Sequence, residues 1–240
     1  MDAGRLQDVR RAVYPRLTVG RLLNEVRDRA LTRPWLLVPP LLGLLGQNVL
    51  SLLSPGAPGA VALKTVLTAL FTVAVTTLFA ELWLGDGKSV SPGRLAETGA
   101  LFVLPYPLLL VFGVMTTPFV YWILHADVSQ AVSLGALYLV LAGGKLAAFA
   151  LGALSAIAAA RRRESAGPLG ALLLGARVLW ANLGFFILLL TGFWVFQEAC
   201  VFLTRTLAPG PVSGFFTTAI PLFGAVAFPI EAWRSGRLSK

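Results

Sequence analysis

Six stretches of this chain, residues 34–53, 61–84, 99–120, 131–158, 171–203 and 212–230, are nearly free of charge, while lysine and arginine crowd into every second gap between them. A helix rises about 1.5 Å per residue, so about 20 residues cover a hydrocarbon core roughly 30 Å thick. A segment in lipid must satisfy its backbone polar groups internally, which an α-helix does within one stretch of chain. The pattern predicts an all-α fold: a polytopic integral membrane bundle of six transmembrane helices. The composition agrees. With 57% hydrophobic and 13% charged residues and a mean hydropathy of +0.78, 240 residues carry more apolar surface than one water-soluble core hides. Short connections leave no room for a separate soluble domain. The expected organisation is a basic amphipathic arm over 1–33, a six-helix transmembrane domain over 34–232 and a basic tail over 233–240.

Charge orients the bundle. Sixteen of the 20 basic residues fall in the arm, the second and fourth gaps and the tail, whereas the other three gaps hold Arg205 alone. Positive-inside bias on short loops then places both termini in the cytoplasm of a multi-pass protein, expected in a bacterial cytoplasmic membrane. The net charge of +9 does not point to nucleic acid, because the basic residues flank the spans, where anionic headgroups account for them. Trp35, Trp83, Trp180 and Trp233 near inner ends and Trp122 near an outer end fit an aromatic belt, with Trp194 deeper. Within the arm, Val19, Leu22, Leu23, Val26 and Ala30 recur at helical spacing, and Leu6, Val9 and Val13 do so before Pro15. Two short helices are expected, either lying in the inner interface or packed under the bundle. No secretory leader is evident in the first 33 residues.

Ionisable residues inside spans are where function is expected, since each costs at least about 2.5 kcal/mol to insert. Five stand out: Lys64, Glu81, Lys145, Arg177 and Glu198. Lys64 and Glu81 sit near opposite ends of the second span, and Arg177 and Glu198 near opposite ends of the fifth. Their separations of 17 and 21 residues correspond to roughly 25 and 31 Å of helix. Antiparallel neighbours would pair Glu81 with Arg177 and Lys64 with Glu198. The plainer alternative is that Lys64 and Arg177 snorkel to the headgroups. Lys145, after Gly143 and Gly144 at the centre of the fourth span, has no carboxylate at an obvious matching depth. It needs Glu198, a hydrated cavity, the carbonyls freed near Pro105 and Pro107, a partner subunit or a neutral amine. It serves either in a pathway or ligand role or as a satisfied structural lysine.

Pro105 and Pro107 each remove a backbone donor in the third span, so a helix break is expected there. Gly144, Ala148, Gly152 and Ala156 form a small-residue stripe that predicts close helix packing. Ser54, Pro55, Gly56, Pro58 and Gly59 mark a tight turn between the first two spans. One cysteine, Cys200, supports neither a disulfide framework nor a cysteine metal site. His125 and Asp127 fall in an outer loop, and a lone histidine suggests no haem or zinc centre. Phosphate-binding loops, nucleophile–base–acid sets and zinc-protease patterns are missing. No cofactor, metal or enzymatic activity is expected.

From Leu84, Gly85, Asp86, Gly87, Lys88 and Ser89 through Gly93 and Arg94 to Leu104 and Pro105, the chain resembles the Yip family of small polytopic membrane proteins. The glycine-rich turn leading into a proline-bearing span and the cytoplasmic arm before the first span are both similar. The resemblance covers about half of the chain; members usually have five spans, and the aspartate-leucine-tyrosine-glycine-proline signature of the eukaryotic branch is missing. It implies a non-enzymatic membrane organiser or scaffold working through protein partners or as a homo-oligomer. A second resemblance, to permease subunits of type-2 ABC exporters, lies in the length, the six spans and the entry segment from Glu25 to Leu31 before Pro34. It implies a dimer with a separate ATPase, although the first outer loop is very short and no clear coupling helix follows the second span. An accessory subunit of a larger membrane complex is the third alternative.

Overall fold

The computed structural model describes residues 19–51, 58–85, 91–105, 130–161, 167–207 and 211–236, and every regular element among them is a helix. In chain order these are α1 (Val19–Thr32), a 3-10 turn (Pro34–Leu37) running into α2 (Val38–Ser51), α3 (Pro58–Leu84), α4 (Pro92–Val103), α5 (Gln130–Arg161), α6 (Pro168–Ala181) and α7 (Leu183–Leu207). The chain then forms α8 (Pro211–Leu222), a π-helical turn (Phe223–Ala227) and α9 (Phe228–Arg234).

Proline sets many of the starts. Pro34, Pro58, Pro92, Pro168 and Pro211 each open an element, where the missing N–H would have had no intrahelical partner and the fixed φ suits the first turn. Before Pro92, the Ser91 side chain accepts from the Arg94 N–H at 3.3 Å and caps α4. That bond satisfies one of the orphan donors of the first turn.

Among the described residues, three stretches are long and apolar enough to cross a membrane: Val66–Leu84, Leu183–Thr204 and Gly214–Arg234. Shorter apolar helices cover Pro34–Leu50, Leu146–Ala160 and Pro168–Ala181. The expected fifth span, 171–203, is not one continuous helix. Asn182 leaves helical geometry (φ −120°, ψ 26°), and its N–H reaches the carbonyls of Val178 and Leu179. Its side-chain Nδ2 donates to Val178 O at 2.8 Å. Asparagine competes for backbone partners in this way, so the axis breaks between α6 and α7. The last span is also interrupted. Pro221 withholds the N–H that the Thr217 carbonyl would accept, and the π-turn follows directly, with Phe228 N–H bonded to Phe223 O. Proline and π-turns are two of the identifiable causes of helix bending.

The helices pack around a core of Leu22, Leu36, Phe79, Trp83, Phe102, Phe149, Leu154, Val226 and Ile230, all buried. The α5–α6 pair is the most extensive contact. It is made possible by Gly175, whose face rests on Ser155, while Gly152 of α5 receives the Phe102 ring from α4. A Cβ at either glycine would collide with these groups, so small residues here permit close approach. Ala148 and Ala156 of the same α5 stripe are buried as well. Helix α1 buries Leu22 and Val26 and packs against α9, whereas the expected helix around Leu6 to Val13 lies outside the described residues.

Candidate functional site

The polar chemistry converges where α1, the C-terminal end of α3 and α9 meet. A helix ends with carbonyls that have no intrahelical donor and carries a partial negative charge there. Two arginines from distant parts of the chain supply donors to α3. Arg29 of α1 donates from Nη2 to the Trp83 carbonyl at 2.7 Å, and Arg234 of α9 donates from Nη2 to the Leu84 carbonyl at 3.0 Å. Arg29 also donates from Nη1 to Glu231 Oε2 at 3.2 Å. Trp83 Nε1–H shares that carboxylate oxygen at 3.3 Å. The Arg29 guanidinium lies 5.3 Å from the centroid of the Trp83 ring, within cation–π range.

Water is largely excluded: the Arg29 and Glu231 side chains are only 14% and 13% exposed. At such burial a charge pair is strengthened by low local dielectric, and removal of one partner strands the other. Trp83 is itself held by edge and tilted contacts with Phe79 and Phe223, whose ring centroids lie 5.6 and 5.9 Å away. The first and last described helices are thereby fastened to the end of α3.

A second pair lies beside the first. Glu81, with its side chain 3% exposed, meets Arg94 at 3.2 Å and accepts from Thr98 Oγ1 at 2.6 Å. The partner of Glu81 is therefore Arg94, not the expected Arg177, which sits on the exposed face of α6. Helix α4 folds back so that its first turns lie along the last turns of α3. A loop-proximal arginine can then reach a carboxylate that depth arithmetic assigns to another span. Lys64 on α3 and Glu198 on α7 are both half-buried and both engaged in interactions.

Lys145 lies within α5, with its side chain outside the described residues. Helix α4 runs to Val103 and Leu104 N–H still bonds to Ala100 O at 2.9 Å. Pro105 is buried just beyond, while Pro107, His125 and Asp127 lie outside the described residues.

Sequence reasoning did not single out Arg29, Trp83, Glu231 or Arg234 as one set. The available signal was Glu231, the only acidic residue after Glu198, set among the apolar residues that precede a basic tail.

A cavity of about 40 Å³ lies deeper, lined in part by Thr72, Thr76, Thr217, Thr218 and Gly43. Each of the four hydroxyls donates to a carbonyl of its own helix, at 2.7 to 3.0 Å. Their remaining lone pairs therefore suit a hydrogen-bond donor, and the volume suffices for water. Among the described residues no three His, Cys, Asp or Glu side chains converge on a metal-sized site. Comparison with protein-family models, with curated proteins and with solved structures finds no match.

Proposed function

We propose that this chain is a non-enzymatic, six-span integral membrane protein with both termini in the cytoplasm, acting as a Yip-like organiser or scaffold for protein partners. The observation that carries this is the polar clasp of Arg29, Trp83, Glu231 and Arg234. An alternating-access permease must separate helices at one end of its bundle and expose charged groups along its path. Here the buried Glu81 and the partly buried Glu231 are both engaged by donors of the same chain. The clasp makes that end a fixed platform, which suits recruitment better than gating. Helix α7 leaves surface open to lateral contact, since only 17% of its apolar stretch Leu183–Thr204 lies buried within the chain, against 61% for Gly214–Arg234. Its outer faces are left for lipid or for neighbouring helices.

Purification from native membranes in mild detergent, with the stoichiometry of co-purifying chains determined by mass, tests the proposal. The expected result is one or more membrane-protein partners without nucleotide-hydrolysing activity. A separate ATPase present at one copy per chain would overturn it in favour of the exporter permease.

A further inference from the structure

A cleft of about 310 Å³ runs along α7 beneath α1 and α9, with an almost entirely apolar lining. Helix α7 contributes Phe185, Leu188, Gly192 and Phe196, and the facing walls carry Leu23 of α1 and Phe228 of α9. From Phe185 to Phe196 the cleft follows 11 residues of helix, about 16 Å. That is close to half of a hydrocarbon core roughly 30 Å thick, the depth of one leaflet.

Size decides between occupants. A helix is about 10 Å across with its side chains, so over 16 Å it would fill more than about 1,200 Å³. A single methylene chain, about 4–5 Å across at carbon contact distances, fills only about 200–310 Å³ over the same length. The cleft is too small for the helix and admits the single chain. At its α1 wall, Arg27 lies one turn from Leu23, and residues four apart share a helix face. The Arg27 side chain is 63% exposed and pairs at 2.9 Å with Asp28, itself 61% exposed. An ion pair so exposed holds its partners loosely and leaves the guanidinium available to a phosphate.

We propose that this cleft binds one acyl chain of an anionic phospholipid, with the lipid phosphate on Arg27. The site rests on the membrane placement proposed above, in which α1 lies at the cytoplasmic leaflet, where anionic lipids concentrate. Bound lipid would join α1, α7 and α9 across a seam that protein atoms leave open.

Native mass spectrometry of the full chain, equilibrated with phosphatidylglycerol or phosphatidylcholine of identical acyl chains, tests this directly. One phosphatidylglycerol per chain is expected to persist under conditions that strip phosphatidylcholine. Nothing lies within 4 Å of a Cβ built at Gly192, so Gly192→Phe should fill the cleft without strain. It should lower retention at least about tenfold while the unfolding temperature holds, and Gly192→Ala should retain lipid. Arg27→Gln should weaken retention about fivefold and erase the headgroup preference. Equal retention of both lipids, or unchanged retention in Gly192→Phe, would overturn the proposal, as would a peptide helix displacing the lipid. Protein that stays in carbonate-washed membranes yet holds no lipid refutes this site alone, whereas release by carbonate refutes the membrane placement itself.

Discussion

Each carboxylate at the clasped end is satisfied by two donors, both from α4 for Glu81 and one each from α1 and α3 for Glu231. Glu81 takes Arg94 and Thr98, and Glu231 takes Arg29 and Trp83. Thr98 is 5% exposed and its bond to Glu81 is short at 2.6 Å. Replacing it by valine should cost about 1.5–3 kcal/mol, the usual worth of a hydrogen bond to a charged group. Thr77 is equally buried, yet its Oγ1 has no hydrogen-bond partner among the described residues and lies against Gly99. Thr77→Val should therefore be neutral or stabilising, since it removes a desolvated hydroxyl at constant shape. Thermal unfolding of the two variants in the same detergent checks the contrast. The location of Glu81 was legible in the sequence and its partner was not. Position along a helix reports depth, whereas lateral neighbours depend on how α4 returns along α3.

Five described elements open on a proline, a local signal that needs no tertiary context. Hydropathy bounds the expected spans instead, so α3, α4 and α6 begin at Pro58, Pro92 and Pro168, ahead of the expected 61, 99 and 171. The breaks at Asn182 and at the π-turn Phe223–Ala227 were not readable, since both lie within continuous apolar sequence. Hydropathy counts residues through such breaks and merges α6 with α7. The small-residue stripe on α5 was legible as a packing surface, but Gly175 on the facing helix was not. A Cβ at Gly175 would lie 2.9 Å from the Ser155 backbone nitrogen, and backbone cannot yield as a flexible side chain can. Gly175→Leu is expected to push α6 off α5 and to cost about 1–3 kcal/mol or more. A Cβ at Gly184 on the exposed side of α7 meets nothing within 4 Å, so Gly184→Leu should leave stability nearly unchanged. Unfolding midpoints measured side by side give the comparison.

Across the whole molecule, composition and charge spacing point to a helical membrane protein, and three helical stretches among the described residues have the length and apolarity to cross a bilayer. The clasp was hidden from sequence because its members are far apart: Arg29 and Glu231 are 202 residues distant, and Trp83 lies between them. Their cooperation depends on α1 and α9 reaching the same end of α3. If that interlock makes the end of the bundle a fixed platform, Arg29 and Glu231 must be energetically coupled. The most direct measurement is a double-mutant cycle of Arg29→Met and Glu231→Gln, read by unfolding in detergent. Each single variant should destabilise by about 2–4 kcal/mol, since each strands a buried partner. The double variant should lose less than the sum, with a coupling of about 1–3 kcal/mol. Additivity within about 0.5 kcal/mol would show two independent residues and contradict the account.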